Sequence, residues 1–510
     1  MTREKLKNES KSQIKSNKKK DFKPRFAWLW ILIVPLLAFE GVMGFSLLSK
    51  VHKLNILQAW QFALILVVMA AIFGFSVYKL IFSKKARKAT KVVLLILTFL
   101  LGAVYCYGAH YASHVISFVE GVTGQHAETD TYTVYVLKNG GYKSLDNLKR
   151  QTVGYISTNP HRAETETQLQ NAIEHKAADF DNIGEIVSAL YDAKVAAIVL
   201  NESYLDVIAD TNLDFENRAE ALYSFEVRSE SPDVPVAVDI KTEPFVMYIS
   251  GTDSRSGLNA VARSDVNMLA VVNPQTHKML LVSIPRDYYV QLHGTTGTKD
   301  KLTHAGIYGV EMSRKTIEDL FDVEINYTTK VSFGTVISVV DTLGGIEIDS
   351  DKEFTAWTNK SCHIVEGKQI LNSACALAYA RERYTYDSGD RHRIQNQQDV
   401  VVAILNKLSD PHYLAKYPKI LENAAGSFET TMSYDEITGF AKNQLSTLEG
   451  WEVERIAVDG YGAMLPTYSM GAQNLYVMIP NEDTVSAAKK KIAEFMAVPS
   501  GSDSGSGSDS

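Results

Sequence analysis

The sequence predicts a mixed α/β protein that is anchored in a membrane by three N-terminal helices. Two observations support this prediction. The first quarter contains three apolar runs, each able to supply the roughly 20 residues that cross a bilayer as a helix. Beyond them, short β-branched runs alternate with helical patterns in two separate regions, which is typical of α/β domains.

The membrane region is predicted over residues 26–114. Its three apolar runs are Phe26–Ser49, Leu54–Phe82 and Val92–Tyr111. A cleaved signal peptide is the alternative interpretation of the first run, which Pro35 and Glu40 interrupt. That alternative fits poorly because the run is long, lacks a small-residue cleavage site and is followed by two more spans.

Basic residues assign an orientation to these helices. Residues 1–91 contain 18 Lys and Arg against 4 Asp and Glu, whereas the remainder contains 34 against 55. Basic loops stay in the cytoplasm, so we predict a cytoplasmic tail over 1–25 and extracellular domains after the third helix. An acidic extracellular part is unsuited to general polyanion binding, so an anion site there has to be a local cluster of arginines.

Two domains are predicted after the membrane region. Residues 115–228 form a small accessory α/β domain in which we find no catalytic constellation. A proline-containing linker over 229–244 leads to a mixed sheet flanked by helices over 245–498. The last segment, 499–510, is a tail rich in Gly, Ser and Asp that cannot bury a core.

The second domain begins with a predicted hairpin, in which the turn NPQTHK joins the strands VNMLAVV and MLLVSI. Three helices are predicted further on, at Glu311–Phe321, Phe333–Leu343 and Arg391–Leu408. The apolar stripe of the helix at 333–343 suits either core packing or contact with a lipid.

Familiar catalytic signatures are absent from the sequence. It contains no G-x-S-x-G elbow, Walker P-loop, dinucleotide fingerprint or H-E-x-x-H motif. The histidines are scattered, so a zinc site is not expected, and His304 and His392 are interpreted as surface or packing residues. The arginine-rich run ARERYTYDSGDRHRIQNQQDVVVAIL over 380–405 is the candidate for a functional site.

This run predicts an anion-binding face at the start of a helix. Arg381 and Arg383 are two residues apart, so an extended backbone points both to one side and Glu382 to the other. The following helical stripe carries Asp390, Arg393 and Gln397. Guanidinium groups bind phosphate oxygens in pairs, and a helix N-terminus adds free N–H groups. The alternative interpretation is a solvated helix start with ordinary ion pairs.

A second charged cluster favours the anion-binding interpretation. VARSDVN places Arg263 and Asp265 on one face at the start of a strand, and IPRD places Arg286 at the end of the next. Because the hairpin brings these outer ends together, we expect the three residues in one neighbourhood. Asp265 and Asp390 are then the candidate ligands for Mg²⁺, which takes one or two carboxylates and substrate phosphates. Lys301 is a weaker phosphate candidate.

Cys362 and Cys375 are the two cysteines outside the membrane region. They fall in a compartment where disulfides form, and we expect a bridge that stabilises the domain by about 3 kcal/mol. Two reduced thiols are the alternative, since the spacing matches no common zinc motif.

At these residues the sequence resembles the LytR-CpsA-Psr (LCP) family of bacterial cell-envelope proteins, and more closely its capsule-associated CpsA-like members. The matching stretches are ARSDVNMLAVVN, LLVSIPRDYYV, DKLTHAGIYGV, VVDTLGGIEI, and RERY followed by GDRHRIQNQQ. Their shared order over 245–410, with the three-span N-terminus and the small preceding domain, makes the resemblance specific.

The resemblance implies an LCP-type fold with a hydrophobic pocket for a polyprenyl chain. It also implies transfer of a glycopolymer, in CpsA-like members a capsular polysaccharide, from an undecaprenyl-pyrophosphate carrier to peptidoglycan outside the membrane. The implied pyrophosphate-binding residues are Arg263, Arg286, Arg381, Arg383, Arg393 and Gln397. Catalytic roles are expected for Asp265, Arg381 and Arg383, and the magnesium-linked acids would be Asp265 and Asp390.

Two other functions stay open at this point. One is a membrane-bound regulator that binds DNA or lipid, although a tail of 25 residues and one short cytoplasmic loop are too small for a helix-turn-helix. The other is a hydrolase that releases lipid phosphate with water as acceptor, because it needs the same charges. The expected partners are the lipid-linked glycan, peptidoglycan, membrane lipid and capsule-synthesis proteins, and no specific nucleic acid.

Overall fold

The computed structural model describes most of the chain outside its two ends. The described ranges are 27–83, 88–123, 129–211, 213–228, 238–252, 258, 260–386, 390–408, 412–413, 417–424, 428–447 and 450–497. The predicted tails 1–25 and 499–510, and most of the predicted linker, lie outside them. The described residues form two compact units, one within 1–53 and 57–112 and the other within 54–56 and 113–510.

The first unit is built from the three long apolar helices that the sequence predicts, the third of which continues past the end of this unit. They are α1 (Ala27–Leu54), α2 (Ala59–Val77, continued by a π-helical turn over Tyr78–Phe82) and α3 (Lys88–Val122). Each contains an 18-residue window with a mean hydropathy of 2.2 or more within a span of at least 24 residues, so its length and composition suffice to cross a membrane. Pro35 lies within α1 without ending it, and Glu40 is only 1% exposed.

The small domain is a five-stranded mixed sheet with four helices. Its elements are β1 (Thr129–Leu137), β2 (Thr152–Ile156), α4 (Arg162–Ala172), β3 (Lys176–Phe180), α5 (Ile183–Tyr191), β4 (Ala197–Asn201), α6 (Glu202–Ala209), α7 (Phe215–Arg218) and β5 (Ala219–Arg228). The strand order is β3-β2-β4-β1-β5. Every residue of the inner strand β4 is buried, which explains why its sequence is a continuous apolar run.

The second domain contains the remaining elements. Its strands are β6 (Phe245–Thr252), β7 (Val266–Asn273), β8 (Lys278–Ile284), β9 (Tyr289–Val290), β10 (Asp300–Lys301), β11 (Tyr327–Ser332), β12 (Ile346–Ser350), β13 (Phe354–Thr355), β14 (His363–Ile364), β15 (Gly367–Leu371), β16 (Phe428–Thr430), β17 (Glu452–Ala457), β18 (Gly460–Thr467) and β19 (Gly471–Pro480). Its helices are α8 (Leu302–Ala305), α9 (Val310–Phe321), α10 (Phe333–Leu343), α11 (Ser373–Ala380), α12 (Asp390–Leu408), α13 (Tyr417–Ala424), α14 (Tyr434–Thr447) and α15 (Glu482–Met496).

The main sheet of this domain has the order β16-β11-β6-β7-β8-β17. Strands β6, β7 and β8 are antiparallel, whereas β6 with β11 and β8 with β17 are parallel, so the sheet is mixed as predicted. Leu269 and Val271 of β7 face a core that includes α15, and Met268 and Ala270 face a second core on the other side. The strand is buried on both faces and therefore does not alternate.

The three predicted helices of this domain are present with boundaries within one residue of those expected. Ser332 caps α10, since its hydroxyl accepts the backbone N–H of Thr335 at 3.2 Å. Gly344 ends the same helix in the left-handed region (φ 74°), where a residue without Cβ is favoured. Val340 and Leu343 are buried in a core with α11, so core packing accounts for this part of the apolar stripe.

The small domain packs directly on the second domain. Ile307, Met470 and Leu475 join a buried cluster with apolar residues of α5 and α6. The backbone N–H of Ile183 donates to the carbonyl oxygen of Ser469 at 2.8 Å. A side chain at Gly184 would put its Cβ 2.3 Å from the carbonyl oxygen of Met470, so the two backbones meet at this point.

His304 lies in a buried polar network near this contact. Its Nδ1 is 2.7 Å from Asp300 Oδ1, and neither side chain is exposed. Asp300 also accepts the backbone N–H of Ser469 at 2.8 Å. This agrees with the interpretation of His304 as a packing residue.

Candidate functional site

The β7–β8 hairpin brings Asp265 and Arg286 together. Asn267 lies opposite Ile284 in the register, so Asp265, two positions before Asn267, and Arg286, two positions after Ile284, emerge at the same end. Arg286 donates through Nη1 to Asp265 Oδ1 at 2.8 Å. Both side chains are about one-fifth exposed, which leaves them accessible to a ligand.

Arg263 has a different environment from the one expected. Strand β7 begins only at Val266, so Arg263 and Asp265 are not alternate residues of a strand and the argument that they share a face does not apply. Arg263 donates through Nη1 to Asp210 Oδ2 at 2.6 Å. Asp210 directly follows α6, so this arginine of the second domain is paired with the small domain.

Asp287 is the main residue that the sequence analysis missed. Its Oδ2 is 3.5 Å from Arg286 Nε, and its Oδ1 is 3.3 Å from Lys301 Nζ. Burial would raise the pKa of Asp287, but Arg286, Lys301 and Arg393 together hold it below its ordinary value. The signal was available in IPRD, where an acid directly follows an arginine at a strand end.

We call Asp265, Arg286, Asp287, Lys301 and Arg393 the charged cluster. Lys301 and Arg393 are only 6% and 8% exposed, and Asp287 is 7% exposed. Lys301 is held beside Asp287 because β10 pairs with β9, and Arg393 comes from the first turn of α12. The cluster holds three cations and two carboxylates. The cluster therefore has an excess of positive charge that water solvates poorly, and such a charge is suited to binding an anion.

Arg381 and Arg383 lie at the end of α11. Arg381 is the C-cap of that helix (φ −99°, ψ −4°), so the expected extended backbone is wrong at this residue. Its guanidinium carbon is 5.2 Å from the centre of the Phe333 ring. Arg383 donates through Nη2 to the Tyr384 hydroxyl at 2.9 Å. Glu382, which lies between the two arginines in the sequence, is fully buried.

The Glu382 carboxylate fixes two loops to each other. It accepts the backbone N–H of Trp357 at 2.6 Å and those of Arg383, Tyr384 and Thr385 at 3.1, 2.8 and 3.2 Å. Burial would raise the pKa of Glu382, but these backbone hydrogen bonds hold it below its ordinary value.

Three further predictions concern this region. Cys362 and Cys375 form a disulfide with a Cα–Cα distance of 5.2 Å, which ties the loop after β13 to α11. Gln397 is half-buried on α12. The helix begins at Asp390, but the side chain of that residue lies outside the described part of the chain, so its predicted metal role stays a prediction.

His392 lies on a different face of α12 from Arg393. Its Nε2 is 3.3 Å from Asp351 Oδ1, and its ring stacks on Tyr386. Together with Asp349 and Asp399 it lines a cavity of about 300 Å³. In the described ranges no group of three or more His, Cys, Asp or Glu side chains is arranged to hold a metal ion.

Comparisons with known proteins cover the second domain. A model of the LytR_cpsA_psr family matches residues 211–494. A polyisoprenyl-teichoic acid–peptidoglycan teichoic acid transferase TagU from Bacillus mycoides is 33% identical over 235 residues, which are 46% of this chain and 75% of that protein. TagU from Bacillus subtilis is 33% identical over 211 residues, or 41% of this chain and 67% of that protein. The crystal structure of B. subtilis TagV aligns with a TM-score of 0.43 and 28% identity over 50% of this chain and 98% of TagV.

Proposed function

Since the chain belongs to the LytR_cpsA_psr family, we propose that it transfers a glycopolymer from a polyprenyl-pyrophosphate carrier to peptidoglycan outside the membrane. The names of the relatives support this reaction, because they describe transfer of polyisoprenyl-linked teichoic acid to peptidoglycan. The observation that carries the proposal is the charged cluster, in which the cations of Arg286, Lys301 and Arg393 surround the buried Asp287 and outnumber the carboxylates three to two.

In this proposal the charged cluster binds the pyrophosphate of the donor. Arg286 exchanges its contact with Asp265 for phosphate oxygens, which a guanidinium group binds in pairs. Lys301 and Arg393 add positive charge at fixed positions, because both are buried. Arg381 and Arg383 supply further guanidinium groups from the end of α11.

The reaction that these groups favour is a phosphoryl transfer. A hydroxyl oxygen of peptidoglycan attacks the phosphorus that carries the first sugar, the P–O bond of the pyrophosphate bridge breaks, and lipid monophosphate leaves with the electron pair. The hydroxyl proton passes to Asp265 or to water. Such transfers depend on alignment and on stabilising the charge of the leaving group more than on covalent help.

We also propose Mg²⁺ as the cofactor, held by Asp265. The donor set fits, because Asp265 offers a partly exposed carboxylate and Mg²⁺ takes one or two protein carboxylates with phosphate and water as its other ligands. Asp390 is proposed as the second acid. When bound, the ion would neutralise charge on the pyrophosphate.

The polymer and the orientation are parts of the same proposal. The CpsA-like motifs favour a capsular polysaccharide, whereas the named relatives carry teichoic acid. The distribution of basic residues favours a cytoplasmic N-terminus and extracellular domains. A reporter enzyme that is active only outside the cytoplasm, fused after residue 130, tests the orientation. The reporter should be active, and an inactive reporter would contradict the orientation.

The deciding experiment supplies the full chain in detergent with a short polyprenyl-pyrophosphate glycan, Mg²⁺ and peptidoglycan fragments, with products identified by mass spectrometry. A glycan–peptidoglycan conjugate and lipid monophosphate are expected, and both should be lost in Arg286→Gln and Asp265→Asn. Arg228→Gln, at an exposed position of β5, is the matched control and should be active. Lipid phosphate without conjugate would identify a hydrolase, and binding without cleavage would identify a regulator.

A further inference from the structure

We propose that Trp357 and Tyr384 form a platform that binds acidic sugar residues of the glycan on the lipid-linked donor. The proposal deepens the function given above and rests on it for the source of the glycan. It concerns two side chains that the reaction itself does not use.

The platform consists of two large aromatic rings that lie together on the surface. Trp357 is 59% exposed and Tyr384 is 60% exposed, and their ring centres are 5.0 Å apart with planes inclined at 49°. Two inclined rings offer a shallow corner of apolar surface. The apolar face of a pyranose ring fits such a surface, and its rim hydroxyls stay in water.

Each ring also has a cation beside it. Lys360 Nζ is 4.3 Å from the centre of the Trp357 ring, and the guanidinium carbon of Arg383 is 5.0 Å from the centre of the Tyr384 ring. The acid in the same segment, Glu382, is fully buried and accepts backbone N–H groups, so it does not present its charge to a ligand here. The charge of the platform therefore complements a carboxylate on the sugar.

The two rings are held in place by the fold. The Glu382 carboxylate accepts the backbone N–H groups of both Trp357 and Tyr384, which fastens the two loops at the residues that carry the rings. The Cys362–Cys375 disulfide closes the loop that carries Trp357 and Lys360 onto α11. A surface that is ordered before binding loses less conformational entropy when the ligand arrives.

The position of Arg383 indicates that the platform binds the glycan of the donor and not the peptidoglycan acceptor. Arg383 contacts Tyr384 directly, and in the proposed function it also belongs to the groups that bind the pyrophosphate. In the donor the first sugar is joined to that pyrophosphate. A donor bound at Arg383 thus has its first sugars beside Tyr384 and the following ones within reach of Trp357.

Binding of free glycans tests the platform without any pyrophosphate. The full chain in detergent is titrated with a tetrasaccharide of alternating glucuronic acid and N-acetylglucosamine, and with neutral chitotetraose, by isothermal calorimetry. The acidic glycan should bind more tightly, and Trp357→Ala or Tyr384→Ala should weaken it by about tenfold. Tyr461→Ala is the matched control, because Tyr461 is 63% exposed on β18 outside the platform. Lys360→Gln should reduce the preference for the acidic glycan, since only Arg383 then remains beside the rings.

Two results would overturn the proposal. One is equal binding of the acidic glycan by the wild type and both platform variants. The other is binding of phosphatidylglycerol vesicles, but not of glycans, that depends on Trp357 and Tyr384, since this would make the surface a membrane contact.

A second pair of ligands separates this proposal from the proposed function. Farnesyl pyrophosphate carries the pyrophosphate without a sugar, and its affinity should be the same in Trp357→Ala and the wild type. The wild type could bind the acidic glycan through the platform and yet fail to bind farnesyl pyrophosphate. That result would contradict the proposed function but would support the sugar-binding platform. Equal loss of farnesyl pyrophosphate and glycan binding in Trp357→Ala would instead contradict the platform.

Discussion

Arg263 and Asp210 belong to different domains and form an ion pair of 2.6 Å. Arg263 is one of the arginines for which the family resemblance implies pyrophosphate binding, yet its partner is a carboxylate from the small domain. A guanidinium group engaged with Asp210 has fewer N–H groups to offer to phosphate. The small domain thus supplies the carboxylate that partly neutralises Arg263, a proposed pyrophosphate-binding residue.

Asp210→Asn is expected to tighten donor binding by about threefold at low salt, because the substitution removes a competing charge from a partly exposed pair. The measurement is the Kd of farnesyl pyrophosphate at two salt concentrations. Asp192→Asn makes the same charge change at a surface position of the small domain and should leave the Kd unaltered. Weaker binding in Asp210→Asn would mean that the carboxylate positions Arg263 for the ligand.

Asp287→Asn is expected to lower the free energy of unfolding at pH 7 by about 2–3 kcal/mol, because Arg286 and the buried Lys301 lose a buried counter-charge. The folded-state pKa of Asp287 lies below its ordinary value of 3.8, so the contribution is complete above that pH and is lost as the pH falls further. Urea unfolding at pH 7 and pH 3 measures it. The difference between the wild type and Asp287→Asn should shrink at pH 3, and a constant difference would contradict the assignment.

Glu382→Gln is expected to destabilise the second domain by about 2 kcal/mol, since an amide has one acceptor oxygen where four backbone N–H groups converge. Hydrogen exchange should accelerate at the amides of Trp357 and Tyr384 before the rest of the domain. Glu353→Gln removes the same charge from an exposed pair and should leave both amides protected. Unchanged protection in Glu382→Gln would show that other contacts hold the two loops.

Replacing both Cys362 and Cys375 by serine is expected to reduce the free energy of unfolding by about 3 kcal/mol, the value for closing a loop of this sequence separation. Chemical denaturation with and without reductant measures it. The wild type under reducing conditions should behave like the double variant, whereas the variant should not respond to reductant. A change in the free energy of unfolding of the double variant on adding reductant would show that another thiol is involved.

The sequence was most informative where periodicity and turns decide the structure. The three apolar helices, the β7–β8 hairpin and the helices α9, α10 and α12 follow from local patterns, and the hairpin register then leads to the contact of Asp265 with Arg286. It was least informative where a partner comes from a distant segment. Nothing local links Arg263 to Asp210, which lies 53 positions earlier, or Glu382 to Trp357.

Asp287 illustrates a different limit. Its neighbours Arg286 and Lys301 were both identified, but an acid next to an arginine in sequence usually has no special role. Only the short β9–β10 pairing, which returns Lys301 to the same place, makes Asp287 the centre of the charged cluster. Two-residue strands of this kind leave almost no periodic signal.

The surface shared by the small domain and the second domain limits how the chain can be divided. Ile307, Met470 and Leu475 are buried against α5 and α6, so a fragment starting near residue 238 would present them to solvent. Such a fragment should be less soluble, and it would also lack Asp210. Chimeric enzymes that exchange the second domain between membrane anchors would have to carry the small domain with it or redesign that surface.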